Sequence, residues 1–149
     1  MDLKNTKATE HCTNVNKFKH LVQVRGIAKA SEELKNTSVN YSKSQALGYR
    51  AEQNVIKLLQ SENWILCFHR LKTDIAEIDL IFEKNNKVLL IEVKTLNNSW
   101  RAFERIQKKQ LSKLQSNLGL FSRQFHAYEF HAYVAWVDPQ NRISFVAAG

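Results

Sequence analysis

The chain is poor in the residues that break or cross-link a backbone. Its 149 residues contain a single proline, Pro139, which sits in Asp138-Pro139-Gln140-Asn141 and reads as a turn. The only cysteines are Cys12 and Cys67, in stretches of very different character. They argue against a disulfide or a zinc site and make a reducing cytoplasm the expected setting. No apolar run approaches the roughly 18 residues that span a bilayer, so no membrane association is expected. The N-terminus lacks an apolar stretch followed by a small-residue cleavage site, so no secretion signal is read. Repeats and low-complexity tracts are missing too. What remains is a globular composition, 44% hydrophobic, in a chain long enough for one domain with a real core and too short for two comfortable ones.

Acidic residues are the scarcer charge, 14 against 22 Lys and Arg, leaving a net charge of +8. The excess is spread along the chain, +3 in residues 1–40 and +5 in the remainder. Such a balance suits contact with polyanions through phosphate neutralisation and counterion release, although many basic proteins bind no nucleic acid.

Against that background the placing of a few carboxylates stands out. Glu77-Ile78-Asp79-Leu80-Ile81 and Ile91-Glu92-Val93-Lys94 flank a polar break, Glu83-Lys84-Asn85-Asn86-Lys87, that reads as a hairpin turn with Asn85-Asn86 at its tip. A two-residue loop sets Lys84 opposite Lys87, Asp79 opposite Glu92 and Glu77 opposite Lys94. Side chains alternate along a strand, so these charges share one face. Like charges directly opposite are unfavourable in a sheet, and a divalent cation resolves the conflict between Asp79 and Glu92. Glu77, Asp79, Glu92 and Lys94 together carry two negative charges, which one Mg²⁺ neutralises. A hard cation held by carboxylates activates water and stabilises charge on phosphate, and Lys94 lies within reach of either. The alternative is an ordinary charged sheet face, in which Glu77 pairs with Lys94.

Residues 1–40 read as a basic, polar leader, disordered or loosely packed, in which Phe18, Leu21, Val22, Ile27 and Ala28 form at most a short amphipathic helix. Residues 41–149 form the domain. The spacing of Leu47, Ala51, Val55, Leu58 and Leu59 predicts a helix from about Ser44 to Ser61. Strands are predicted over Trp64 to Arg70, Ile75 to Phe82 and Val88 to Thr95. A second long helix starts at an N-cap Ser99, buries Phe103, Ile106, Leu111, Leu114 and Leu118, and ends at Gly119. Strands at His131 to Val137 and Arg142 to Val146 close the order α-β-β-β-α-β-β, a mixed α/β sheet flanked by helices.

Ala46-Leu47-Gly48-Tyr49-Arg50-Ala51-Glu52, the Glu77–Ile81 and Ile91–Thr95 runs, and Lys109-Gln110 together resemble the YraN-like family of predicted endonucleases. More broadly the pattern is similar to the restriction-endonuclease-like superfamily with the PD-(D/E)xK signature, which includes archaeal Holliday junction resolvases. The resemblance covers about residues 44–121 and implies a restriction-endonuclease-like αβββαβ core, dependence on Mg²⁺ (or Mn²⁺) and cleavage of DNA, with recombination or repair intermediates as candidate substrates. It implies Asp79, Glu92 and Glu52, the carboxylate from the first helix, as metal ligands and catalytic acids, and Lys94 as the catalytic lysine. A solvated helix carboxylate is the other reading of Glu52. Gln110, among the apolar positions of the second helix, supports the site or caps a loop. Lys109 belongs to the site's edge or to a solvated face. A homodimer is expected if junctions are resolved by paired cuts.

The chain departs from the family pattern at three places. Ala51 and Ala76 stand where glycine is usual, and Leu96 stands where an arginine follows the lysine-threonine pair. A positive φ at position 76 would be costly for alanine, and Leu96 removes a phosphate contact. Two other readings therefore stay open: a DNA-binding module that kept the fold and lost efficient catalysis, and a protein-interaction domain without nucleic acid. Weaker candidates are His69, His126 and His131 as zinc or acid–base groups, which no cysteine context supports, and Trp100 as a base-stacking platform.

Overall fold

The computed structural model describes residues 17–26, 28–29, 42–96 and 108–148. The expected helix cap Ser99, the stripe positions Phe103 and Ile106, Trp100, and the boundary near residue 40 lie outside the described residues. Within them the elements are α1 (Lys17–Arg25), β1 (Ala28–Lys29), α2 (Lys43–Ser61), β2 (Ile65–Thr73), β3 (Glu77–Lys84), β4 (Lys87–Thr95), α3 (Lys108–Gln124), β5 (Glu129–Val137) and β6 (Ile143–Ala147). The six strands form one sheet in chain order. Every neighbouring pair is antiparallel except β4 and β5, and α3 provides the crossover that a parallel pair needs. This is the mixed α/β architecture compatible with a restriction-endonuclease-like core. No helix among the described residues is long and apolar enough to cross a membrane.

Local chemistry accounts for the boundaries. Ser42 caps α2 through a reciprocal pair, its hydroxyl accepting from the Gln45 N–H at 3.3 Å while the Gln45 side chain accepts from the Ser42 N–H at 3.1 Å. The buried stripe of α2 begins at Ala51 and runs through Val55, Ile56 and Leu59. Leu47, expected on it, is exposed. The β3–β4 turn takes the anticipated two-residue form, with Asn85 at φ 49° and Asn86 at φ 65°, the positive values that match a hairpin's right-handed twist. Its register is the expected one from Lys84 opposite Lys87 to Leu80 opposite Ile91. Ala76 is not among the residues of positive φ, so alanine in place of glycine there is unstrained. Ala51 is buried and packs without conflict.

Helices cover both faces of the sheet. Leu80, Phe82, Leu89 and Ile91 pack with Val55, Ile56 and Leu59 of α2. Ile78, Ile81, Val88 and Leu90 pack with Phe18 and Val22 of α1 and with Leu114 and Phe121 of α3. Two expectations change here. The helix in the leader is not loose, since Phe18 and Val22 are buried in the core. The ring of Phe18 meets those of Tyr128, Phe125, Phe130 and Phe121 at centroid separations from 5.2 to 6.0 Å. Burying a phenylalanine contributes roughly 2–3 kcal/mol, which a local, polar-flanked sequence pattern does not reveal. The second change is at α3, which continues past Gly119 to Gln124. Its last turn buries Phe121 against Phe18, and that packing offsets the roughly 1 kcal/mol that a mid-helix glycine costs.

Candidate functional site

The site forms where the β3–β4 ladder opens. Backbone pairing of these strands extends only to Leu80 opposite Ile91. Beyond it, the Val93 N–H donates not to a strand carbonyl but to Asp79 Oδ2, at 2.8 Å. The carboxylate thereby takes a backbone acceptor's place, which fixes its rotamer and brings it beside Glu92. Burial pushes Asp79 up to about 8, and the neighbouring charges of Glu92 and Glu52 push in the same direction against the Val93 N–H and Lys94. Burial also raises Glu92, with Lys94 and a hydrogen bond from Asp79 holding it down and Glu77 adding repulsion. Burial raises both carboxyls, and on Asp79 the charge of Glu92 adds to that rise. Two acids crowded in a half-buried place are the groups from which a cation displaces a proton most readily.

Lys94 Nζ lies 3.3 Å from Glu92 Oε1. The cross-hairpin pair of Glu77 with Lys94, the structural alternative, gives way to this contact along β4, and Glu77 stays exposed. Gln110 is exposed rather than set within the apolar stripe of α3. It lines a small hollow with Glu92, Lys94, Leu111, Leu114 and Val134, at the edge of the site. Lys109 is exposed on the first described turn of α3.

Glu52 is not a solvated helix carboxylate. It is 7% exposed, and its Oε2 lies 2.6 Å from His69 Nε2 and 3.3 Å from an Arg70 nitrogen. Both partners come from β2. Arg70 escaped the sequence reading because its position depends on a register shift between Leu66 and Phe68. A slip of one residue turns a strand's side chains to the other face, and no residue pattern marks this bulge. With the shift, His69 pairs with Leu80 and Leu71 with Ile78, which leaves Arg70 across from Asp79. Arg70 also has φ 56°, uncommon outside glycine and asparagine.

Among the described residues no three His, Cys, Asp or Glu side chains converge as a metal-binding set. The donors at hand are the two carboxylates Asp79 and Glu92. That is too few for a closed zinc site. It fits a hard cation such as Mg²⁺, which takes one or two carboxylates and completes its shell with water and phosphate. Glu52 stands behind this pair, engaged with His69 and Arg70. His126 is exposed, and His131 is paired at 2.9 Å with Glu129 of its own strand.

Comparison with known proteins identifies the family of the chain. The uncharacterised protein family UPF0102 matches residues 51–147. A UPF0102 protein of Ehrlichia ruminantium (strain Gardel) is 30% identical over 109 residues, covering 63% of this chain and 86% of the relative. A UPF0102 protein of Prochlorococcus marinus (strain MIT 9313) is 38% identical over 52 residues, 35% of this chain and 41% of the relative. One of Synechococcus sp. (strain CC9902) is 36% identical over 53 residues, 36% of this chain and 44% of the relative. In the last two cases the chain spans less than half the length of the relative. The family match contains the helix carboxylate, both carboxylate-bearing strands, α3 and the two strands that follow, and the chain belongs to UPF0102, the YraN family whose motifs its sequence resembles.

Proposed function

We propose that the protein hydrolyses phosphodiester bonds of DNA with Mg²⁺ or Mn²⁺ held by Asp79 and Glu92. The observation that carries this reading is the carboxyl pair at the opened end of β3 and β4, where Asp79 is locked by the Val93 N–H and both acids are raised by burial. A divalent cation bound there polarises phosphate, lowers the pKa of water and screens charge on the leaving oxygen. Its charge would favour the ionised forms of Asp79 and Glu92, which burial disfavours. Lys94, anchored on Glu92, places an ammonium beside the pair, where it orients the attacking water or neutralises charge building on the phosphate. Gln110 contributes a neutral donor and acceptor at the edge of the same hollow. The surface charge of +8 draws the polyanion in.

Purified protein is expected to cut a panel of fluorescent duplex, flap, fork and four-way-junction DNAs only when Mg²⁺ or Mn²⁺ is present. Glu92→Ala and Lys94→Ala should each lower the rate by roughly 10²- to 10⁴-fold, the scale of a positioned charged group. Equal cutting by wild type and both variants would assign the activity to a contaminant.

A second reading, a DNA-binding module without efficient catalysis, is favoured by one observation: Glu52 is taken up by His69 and Arg70 and so adds no third free carboxylate. Calorimetry separates the two. Salt-sensitive DNA affinity without any Mg²⁺ or Mn²⁺ binding would select the binding module.

A further inference from the structure

The Asp79–Glu92 pair has Lys94 beside it along β4, and β2 runs along the other flank of β3. Arg70 lies on β2, directly across the ladder from Asp79. β2 and β4 are separated by β3, so the two backbones stand about 10 Å apart.

Arg70 is costly to keep where it is. Its left-handed backbone is one that a long side chain rarely adopts, and strain of this kind, of order 1–3 kcal/mol, gathers at functional positions. The same conformation brings a guanidinium nitrogen to Glu52 Oε2 at 3.3 Å, while His69 holds that oxygen from the other side at 2.6 Å. A buried carboxylate already contacted at 2.6 Å by one partner does not require a second in a strained conformation. The Arg70 side chain is 34% exposed, so part of its five-donor fork faces solvent. A planar fork with one edge tethered and another open is suited to a phosphate, which it grips through paired N–H donors. Leu96, where the family pattern has an arginine, is partly buried against the core and offers the substrate no charge.

We infer that Arg70, held by Glu52, is a backbone-phosphate contact of the DNA, gripping a phosphate on the side of Asp79 away from Lys94. The inference rests on the proposed nucleic-acid function and adds a substrate-binding residue to it. The tether orders the guanidinium before DNA arrives, so less side-chain freedom is lost on binding. Glu52 is then a positioning residue for Arg70 as well as a source of the field on Asp79.

The test is fluorescence anisotropy with the full chain and a fluorescein-labelled DNA duplex, in Ca²⁺ to hold back cleavage, across a series of NaCl concentrations. For Arg70→Gln, affinity should fall roughly three- to tenfold at 0.1 M salt, and the slope of log affinity against log salt should shrink by about 1, the signature of one lost phosphate contact. Arg70→Lys keeps the charge and loses the fork, so it should retain the wild-type slope with weaker affinity. Arg70→Gln with unchanged slope and affinity, or Arg70→Lys with unchanged affinity, overturns the inference and leaves the nuclease reading standing. A wild-type protein without salt-sensitive DNA binding overturns both. If Arg70→Gln fails to fold, Arg70→Lys decides alone.

Discussion

Asp79 shows how one side chain sets both chemistry and stability. Its raised pKa, about 8 against an ordinary 3.8, arises first from burial and then from Glu92. The folded protein therefore binds a proton there between those two values that the unfolded chain does not. The associated stability is fully present below the unfolded value near 4 and is lost as pH rises through about 8. Glu92, raised in the same direction, adds to this trend. Asp79→Asn keeps an oxygen for the Val93 N–H and removes the titration. This variant should be more stable than wild type above pH 8 in metal-free urea denaturation, with a flatter dependence on pH, and should show neither metal binding nor cleavage. A variant less stable than wild type at pH 8.5 would mean that the carboxylate is not under repulsion there. At this scale the sequence was legible in part. Asp79, Glu92 and Lys94 were readable because the Asn85-Asn86 turn fixes the hairpin register and the flanking apolar residues mark its faces. The splitting of the ladder at Asp79 was not readable, because it depends on a side chain competing with a carbonyl for one N–H.

At the scale of elements, α1 is the least anticipated part. Its sequence is short and flanked by polar residues, and nothing within it announces a docking partner. The partner is distant in sequence: Phe121, Phe125, Tyr128 and Phe130 enclose Phe18. Arg25 stacks over Phe125 at 4.9 Å and donates to the Gln124 carbonyl. Glu83, buried on β3, accepts from the Phe18 N–H in the first turn of α1, where the helix favours a negative charge. Phe18→Ala should lower unfolding free energy by about 3–5 kcal/mol, read from the midpoint of urea denaturation. A loss under 1 kcal/mol would mean that α1 is dispensable to the core. The same packing explains why α3 outruns Gly119, since a propensity penalty of about 1 kcal/mol is small beside a buried aromatic cluster.

For the molecule as a whole, charge and metal are coupled. If the proposed function holds, the net charge of +8 would raise encounter with DNA, while the acidic pair would hold a cation. A divalent ion held as proposed would compete with protons for Asp79 and Glu92, both raised by burial, so the stabilisation from a fixed Mg²⁺ concentration would depend on pH. The melting temperature should rise more with 10 mM MgCl₂ at pH 8.5 than at pH 5.5, and EDTA should reverse the gain. Equal shifts at both pH values would place the ion elsewhere.

Residue periodicity was enough to define the succession of helices and strands, the hairpin register and the identity of the acidic pair, because each depends on neighbours a few positions apart or on a turn whose chemistry is local. Long-range packing was needed to seat Phe18 in the core, to carry α3 to Gln124 and to bring Arg70 across from Asp79. The last depends on a single bulge in β2. A bulge is chosen by the summed fit of two whole strands and their faces rather than by any residue within it, so only the folded sheet determines which residue of β2 stands across from Asp79.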